Sequence, residues 1–267
     1  LLELLRELPG LRQSSLWVSL SGAAGTSAAL GPQAFETRAA LAEALGLHDP
    51  ARSWHSDRGP ILRIADWQAR LVLALGKMAE DLLILTQTGI GEVSLGASGA
   101  SSTMPQKQNP VLPSAMAATA RHAAGLHTTL QGAALHRLDR DGAAWFTEWL
   151  VLPQLCLATT ATLIHAQSLS QSMAPLPDAM LAAMSDGQNL IHAEALSFAL
   201  AAHLPRPEAQ AAIKALCKEA GATGADLAAL AQAAYPDLAL GPVFDPAQQM
   251  GHVPDEARRF AAAARAL

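Results

Sequence analysis

The clearest pattern in the chain is a stripe of apolar residues at helical spacing between positions 61 and 89. The stripe advances in steps of three and four through Ile64, Trp67, Leu71, Leu75, Met78, Leu82 and Leu85. Charged residues such as Arg63, Asp66 and Lys77 fall between its members. This spacing predicts an amphipathic helix of the kind found in bundles, about 40 Å long at about 1.5 Å per residue.

Two more long helices are predicted downstream, over residues 111–136 and 144–173. The first is rich in Ala and contains Gly, which lets neighbouring backbones approach closely, and Pro153 should kink the second. Three long helices joined by short links are typical of a helical bundle. Their apolar content is high for a monomer, so we expect other subunits to complete the bundle.

Shorter helices are predicted on either side of these three. The stretch 1–8 is interpreted as the end of a helix closed by Pro9 and Gly10, and 33–45 as a helix ending at Gly46. After Pro175 the predicted helices become short: 177–184, 188–203, 206–220, 224–233 and 255–266. We therefore predict an all-α fold, with a central helical bundle domain over residues 1–174 and a small C-terminal helical domain over residues 175–267.

Composition agrees with this prediction and excludes several classes of protein. Hydrophobic residues make up 51% of the chain and charged residues 15%, which excludes a disordered chain. A net charge of −5 without a basic stripe argues against nucleic acid as a partner. Cys156 and Cys217 stand alone, and no signal peptide or membrane-spanning run is evident, so we expect a cytoplasmic protein with no membrane partner. The histidine spacings suggest no metal site, and we expect no cofactor.

The segment 96–110 carries the most specific chemical pattern. It is a Gly/Ser-rich loop with adjacent serines, Ser101 and Ser102, followed by a Pro-fixed turn with Lys107 and Asn109 at the start of a long helix. A lysine charge beside the free N–H groups of a helix start suits an anionic group and charge that develops during a reaction. A serine on such a loop can carry a proton. The alternative is a solvated linker followed by a helix cap.

The run SSTMPQKQNP, residues 101–110, resembles the signature of the fumarase/aspartase superfamily, with Ala100 in place of its leading Gly. The resemblance implies an all-α subunit in a homotetramer, with active sites where three subunits meet. It implies that Ser101 handles the proton and that Lys107 and Asn109 contact a substrate carboxylate. Ser102, Thr103 and Met104 follow on the same loop as candidate substrate contacts. It also implies that about the first third of a subunit, with the family's histidine segment, precedes Leu1.

Within that superfamily, other segments resemble the carboxymuconate cycloisomerases. After Arg140 and Asp141, the Gly-Ala-Ala-Trp run offers no cluster of phosphate donors, which argues against adenylosuccinate as substrate. The resembling segments are SGAAGTSAALG at 21–31, Trp54-His55 with Arg58, WxxEW at 145–149, and Phe244-Asp245-Pro246-Ala247 followed by Gly251-His252.

This resemblance implies an intramolecular lyase that closes 3-carboxy-cis,cis-muconate to a lactone. Ser101 would donate the proton, while Lys107 and Asn109 would stabilise an aci-carboxylate. Arg58, Arg140, Trp145 and His55 are the further candidates for contact with a small tricarboxylate. Each has a plainer interpretation: a loop charge for Arg58, a pair with Asp139 or Asp141 for Arg140, a core anchor for Trp145, and a supporting residue for His55. Two rival functions stay open, a lyase that releases fumarate from a succinyl-amine and a non-catalytic helical assembly.

Overall fold

The computed structural model describes residues 1–96, 109–184 and 187–267. Across these residues the secondary structure is overwhelmingly helical, which confirms the predicted all-α fold. Five predicted site residues lie outside the described residues: Ser101, Ser102, Thr103, Met104 and Lys107. The chain divides into two compact units, Leu1–Pro175 and Leu176–Leu267.

The first unit is built on long helices. They are α1 (Leu2–Ser15), α2 (Ala34–Leu45), α3 (Gly59–Leu85), α4 (Val111–Gln131) and α5 (Gly142–Ser172). Short 3-10 turns cover Ala28–Gln33 and Gly132–Ala134. Two-residue strands, β1 (Val93–Ser94) and β2 (Ala174–Pro175), pair antiparallel and join the segment after α3 to the end of α5.

The predicted end of the first helix at Pro9-Gly10 is wrong, because α1 continues to Ser15. Packing against α3 explains the difference. The indole nitrogen of Trp67 donates to the Leu4 carbonyl at 2.8 Å, and Arg63 Nε donates to Ser15 Oγ at 3.1 Å. These contacts lie on both sides of the proline, so tertiary packing offsets the one backbone hydrogen bond that proline cannot make.

The helices α3, α4 and α5 form the bundle, with α4 antiparallel to the other two. Asp66 of α3 lies 3.8 Å from His127 near the end of α4, whereas Gln68 of α3 lies 3.4 Å from Cys156 in the first half of α5. The bundle therefore has two ends. The Trp145 end holds the start of α3, the end of α4 and the start of α5; the Asn109 end holds their opposite termini.

Two apolar clusters fill the bundle, and one side of α5 contributes to them. Leu155 and Leu169 of α5 are almost fully buried there. By length and composition α5 would also qualify as a membrane-spanning helix, alone among the described helices. Its other side is exposed and carries Phe146, Leu150, Leu157 and Ile164, which we call the α5 apolar face. Leu157 is 70% exposed.

The second unit is a set of shorter helices around its own core. They are α6 (Pro177–Ala183), α7 (Ala193–Ala201), α8 (Arg206–Thr223), α9 (Leu227–Ala234) and α10 (Val253–Arg265). Leu196, Leu200 and Leu227 are fully buried at its centre. Asp226 caps α9 by accepting from the Ala228 amide, and it also accepts from Asn189 at 2.8 Å. One carboxylate thus joins the start of α9 to the turn before α7.

Candidate active site

Three segments that are distant in sequence meet at the Trp145 end of the bundle. They are the small-residue loop around Ala23, the loop around His55, and the turn from α4 into α5. Arg140 donates to the Ala23 carbonyl at 2.8 Å, and the Trp54 indole donates to the Val18 carbonyl at 2.9 Å. The contact between the first two loops requires a glycine: Gly25 has φ +73°, and a Cβ placed on it would lie 2.9 Å from Ser53 Oγ.

Arg58 and Glu148 form a two-pronged ion pair across this junction. Arg58 Nε donates to Glu148 Oε2 at 2.8 Å and Nη2 donates to Oε1 at 2.7 Å, while the Trp54 ring lies 5.2 Å from the guanidinium carbon. Both charged side chains are about nine-tenths buried. The interpretation of Arg58 as a surface loop charge is therefore wrong. Its contact with substrate stays a prediction, and the guanidinium edge that faces Glu148 is already engaged.

Asp141 shapes the turn between α4 and α5. Its carboxylate accepts from the Arg137 amide at 3.0 Å, from Arg137 Nε at 2.7 Å, and from the Ala143 amide at the start of α5 at 2.9 Å. Hydrogen bonds and charge from Arg137 hold the pKa of Asp141 well below its usual range. Asp141 is paired with Arg137, and Arg140 forms no ion pair with any residue that the structure describes, so the interpretation in which Arg140 pairs with Asp139 or Asp141 is wrong.

The indole of Trp145 is surrounded by three side chains that carry nitrogen donors. The guanidinium carbon of Arg140 lies over the ring at 5.0 Å from its centroid. His55 and His136 approach edge-on, with rings inclined by 86° and 68°, at centroid distances of 6.5 and 6.2 Å, and Trp149 stacks at 6.0 Å. The structure thus brings together three predicted residues, His55, Arg140 and Trp145, and adds His136. Sequence reasoning missed His136 because a lone histidine in a turn belongs to no motif.

Asn109 lies at the opposite end of the bundle. It immediately precedes Pro110 and α4, and its carbonyl accepts from the Val111 amide at 2.8 Å. On the other side of the signature loop, Gly96 has φ +73°, and a Cβ there would lie 3.2 Å from the Ser172 carbonyl oxygen at the end of α5. Both ends of the loop are therefore held at the Asn109 end.

The length of α4 separates the two groups of predicted site residues. Its 21 residues span about 30 Å at about 1.5 Å per residue. Asn109 stands before its first turn, whereas Arg140 and Trp145 follow its last. Within one chain the structure does not bring Asn109 together with His55, Arg58, Arg140 and Trp145. Among the described residues there is also no group of three or more His, Cys, Asp or Glu side chains able to hold a metal.

Comparison with known proteins gives a consistent picture. A sequence profile of the family described as Lyase matches residues 3–125. The chain is 37% identical over 218 residues to a 3-carboxy-cis,cis-muconate cycloisomerase of Pseudomonas aeruginosa, covering 80% of this chain and 48% of that protein. It is 32% identical to a nitrosuccinate lyase of Streptomyces davaonensis over 90% of this chain and 54% of that protein.

The fold agrees with these sequence similarities. The crystal structure of 3-carboxy-cis,cis-muconate lactonizing enzyme from Pseudomonas putida superimposes with a TM-score of 0.89 at 30% identity, over 99% of this chain and 60% of that one. This chain spans about half the length of the curated relatives that it matches.

Proposed function

The chain belongs to the fumarase/aspartase superfamily and resembles its bacterial 3-carboxy-cis,cis-muconate cycloisomerases, and from this premise we propose that it is part of an intramolecular lyase acting on a small tricarboxylate. The proposed reaction converts 3-carboxy-cis,cis-muconate to 4-carboxymuconolactone. It is a step of aromatic (protocatechuate) catabolism, which we place in the cytoplasm.

The observation that carries this proposal is the convergence at Trp145. Three of the segments that resemble the cycloisomerases are separated by tens of residues, yet they touch one another there. Arg140 bonds to Ala23, His55 packs on Trp145, and Arg58 pairs with Glu148 of the WxxEW segment. Residues that resemble a family at scattered positions and then meet in space are expected of a shared site, since function resides in sites and not in the fold alone.

In the proposed reaction, a carboxylate of the substrate attacks a carbon of its own diene and forms the C–O bond of the lactone. The electron pair moves onto another carboxylate, which becomes an aci-carboxylate. Lys107, Asn109 and the start of α4 would stabilise that charge, because a lysine and the free N–H groups of a helix start favour an anion. Ser101 would then deliver a proton to the carbon beside that carboxylate.

The remaining predicted residues would bind the substrate without taking part in bond formation. Arg140 supplies a cation at the Trp145 end, and Trp145 and His55 shape the surface beneath it. Ser102, Thr103 and Met104 belong to the signature loop. Because Asn109 and Trp145 lie at opposite ends of α4, a complete site needs at least two copies of the chain. This supports the proposed homotetramer with shared active sites.

Ultraviolet absorbance tests the proposal. The natural full-length protein is mixed with 3-carboxy-cis,cis-muconate, and loss of the conjugated-diene absorbance is followed, with the lactone identified as product. Wild type should remove the signal, and Ser101→Ala should be slower by about a hundredfold or more, the contribution of a positioned proton donor. Equal rates for both proteins would exclude Ser101 as the donor. No reaction with the wild type would exclude the proposed substrate.

A second candidate is a lyase that expels a group from a succinyl compound. The similarity to a nitrosuccinate lyase covers more of this chain than the similarity to the cycloisomerase, although at lower identity. Such a reaction begins with loss of a proton from carbon, so Ser101 would accept a proton in place of donating one. Release of fumarate from succinyl-amine substrates, measured by its absorbance, separates the two candidates.

A further inference from the structure

Both ring nitrogens of His136 are buried without a hydrogen-bond partner among the described residues. The same holds for Nδ1 of His55. Buried polar atoms are nearly always hydrogen-bonded in folded proteins, so three such atoms around one indole ring need an explanation. The two imidazoles and the Arg140 guanidinium all lie within 6.5 Å of the Trp145 centroid.

The neighbouring carboxylates are already committed to other cations. Glu148 is held by Arg58, and Asp141 by Arg137, while Asp57 accepts from Arg52 at 2.5 Å. Asp139 is exposed. Arg140 itself forms no ion pair with any residue that the structure describes, and its guanidinium donates instead to the Ala23 carbonyl. The cluster therefore offers a cation and imidazole donors without a carboxylate to neutralise them.

We propose that His136, together with Arg140 and His55, forms the subsite that binds the additional carboxylate by which a tricarboxylate differs from a dicarboxylate. The inference rests on the proposed function, because it names the part of that site which selects the substrate. His136 provides a ring N–H to the carboxylate and Arg140 provides charge. The Trp145 ring packs against all three groups.

Asp141 determines how this subsite is built. By holding Arg137 and capping α5, it fixes the turn that carries His136 and Arg140. Leu138 adopts φ +57° between them, a conformation that a leucine takes only when its surroundings impose it. The turn is thereby held with both donors beside Trp145.

The test compares two ligands that differ by one carboxylate and undergo no reaction. Propane-1,2,3-tricarboxylate and glutarate share a chain, and only the first has the central carboxylate. Isothermal titration calorimetry on the full-length protein gives Kd for each. Wild type should prefer the tricarboxylate, and His136→Phe should lower that preference by about tenfold, the usual effect of losing a hydrogen bond to a charged group. Phenylalanine keeps the ring that packs on Trp145.

Two further variants control for structural damage. His136→Gln retains an N–H donor and should keep most of the preference. His203→Phe, at an exposed histidine of the second unit, should leave both Kd values unchanged. In the lactonization assay, His136→Phe should raise KM more than it lowers kcat, because a binding contact is lost and the proton donor is untouched.

Failure of the inference and failure of the proposed function give different results. If wild type and His136→Phe show the same preference, or if wild type prefers neither ligand, the subsite is wrong even when lactonization occurs. If the preference is lost in His136→Phe while 3-carboxy-cis,cis-muconate is not converted, the subsite holds and the proposed reaction is wrong.

Discussion

At the scale of single residues, Asp141 and Glu148 show how two carboxylates on one segment act differently. Each is held by an arginine, but Arg137 is exposed whereas Arg58 is about nine-tenths buried. The first pair shapes a turn, and the second joins the start of α3 to the start of α5. The extent to which each ion pair is buried determines how much its loss would destabilise the protein.

Replacement of Glu148 by Gln should destabilise the protein by about 3 kcal/mol, because it leaves the buried Arg58 charge without its partner. Chemical denaturation measures the change. Glu7→Gln is the matched control, since the Glu7–Arg70 pair is 44% exposed on both side chains and its loss should destabilise the protein much less than loss of the buried pair. If the two substitutions lowered the free energy of unfolding equally, burial would not explain the strength of the Arg58–Glu148 pair.

The Asp141 pair should produce a pH-dependent contribution to stability. The pKa of this carboxyl is lowered in the folded protein, chiefly by the Arg137 side chain, so folding favours its charged form. The resulting stabilisation is present above the ordinary Asp pKa of about 3.9 and is lost as the pH falls through the lower folded value. Asp141→Asn should therefore lower Tm at pH 6, and its difference from wild type should shrink steadily as the pH is lowered from about 5 to about 2. A constant difference over that range would refute this.

At the scale of elements, α3 and α4 approach so closely that only a glycine fits at their contact. A Cβ placed on Gly76 would lie 2.5 Å from the Ala120 Cβ, closer than two carbon atoms can stand. The small residues that the sequence places along α4 therefore have a specific use. They let the two helix backbones come together along the bundle.

Gly76→Ala should force the two helices apart and destabilise the protein by about 1–3 kcal/mol, the range for overpacking. The control lies on the partner helix: a Cβ placed on Gly125 of α4 would meet no atom within 4 Å, so Gly125→Ala should stabilise by about 0.5–1 kcal/mol through helix propensity. Thermal unfolding of both variants tests the pair. If both variants changed Tm in the same direction, helix propensity and not the contact between α3 and α4 would determine the effect.

At the scale of the whole molecule, the two groups of site residues stand at opposite ends of one bundle. The α5 apolar face between them is exposed, with Leu150 and Leu157 at 68% and 70%. Burial of such a face against another copy of the chain would remove apolar surface from water, and an antiparallel arrangement of the two copies would place unlike ends together. Both features support the proposed assembly.

Subunit mixing tests this arrangement. Ser101→Ala should lower turnover of 3-carboxy-cis,cis-muconate by about a hundredfold or more because it removes the proton donor. Arg140→Ala should lower it by about a hundredfold because the substrate is no longer correctly positioned. After dissociation and reassembly of the mixture, some sites should receive Ser101 and Arg140 from unaltered copies, and activity should rise at least about tenfold above either variant alone. Arg140→Ala mixed with Trp145→Ala should not recover, because both changes affect the same end. Recovery in both mixtures, or in neither, would contradict sharing of sites between chains.

Much of the fold followed from local patterns. The stripe from Ile64 to Leu85 predicted α3 to within a few residues, and Gly46 ends α2 with φ +64°, as its position indicated. Periodicity and glycine signals act over a few residues, so a sequence displays them directly. The same local reasoning ended α1 at Pro9 and failed, because the residues that hold the rest of the helix, Trp67 and Arg63, are distant in sequence.

The candidate site shows the same difference between local patterns and contacts made by distant residues. Local patterns were enough to identify the residue types: a signature loop with serine, lysine and asparagine, and the separate segments that contain His55, Arg58, Arg140 and Trp145. The packing of the helices was needed to show that Arg58 pairs with Glu148, that His136 joins the Trp145 cluster, and that Asn109 lies at the other end of α4. The reason is physical: two residues far apart along the chain meet only when helix packing brings them together, and no local pattern encodes that distance.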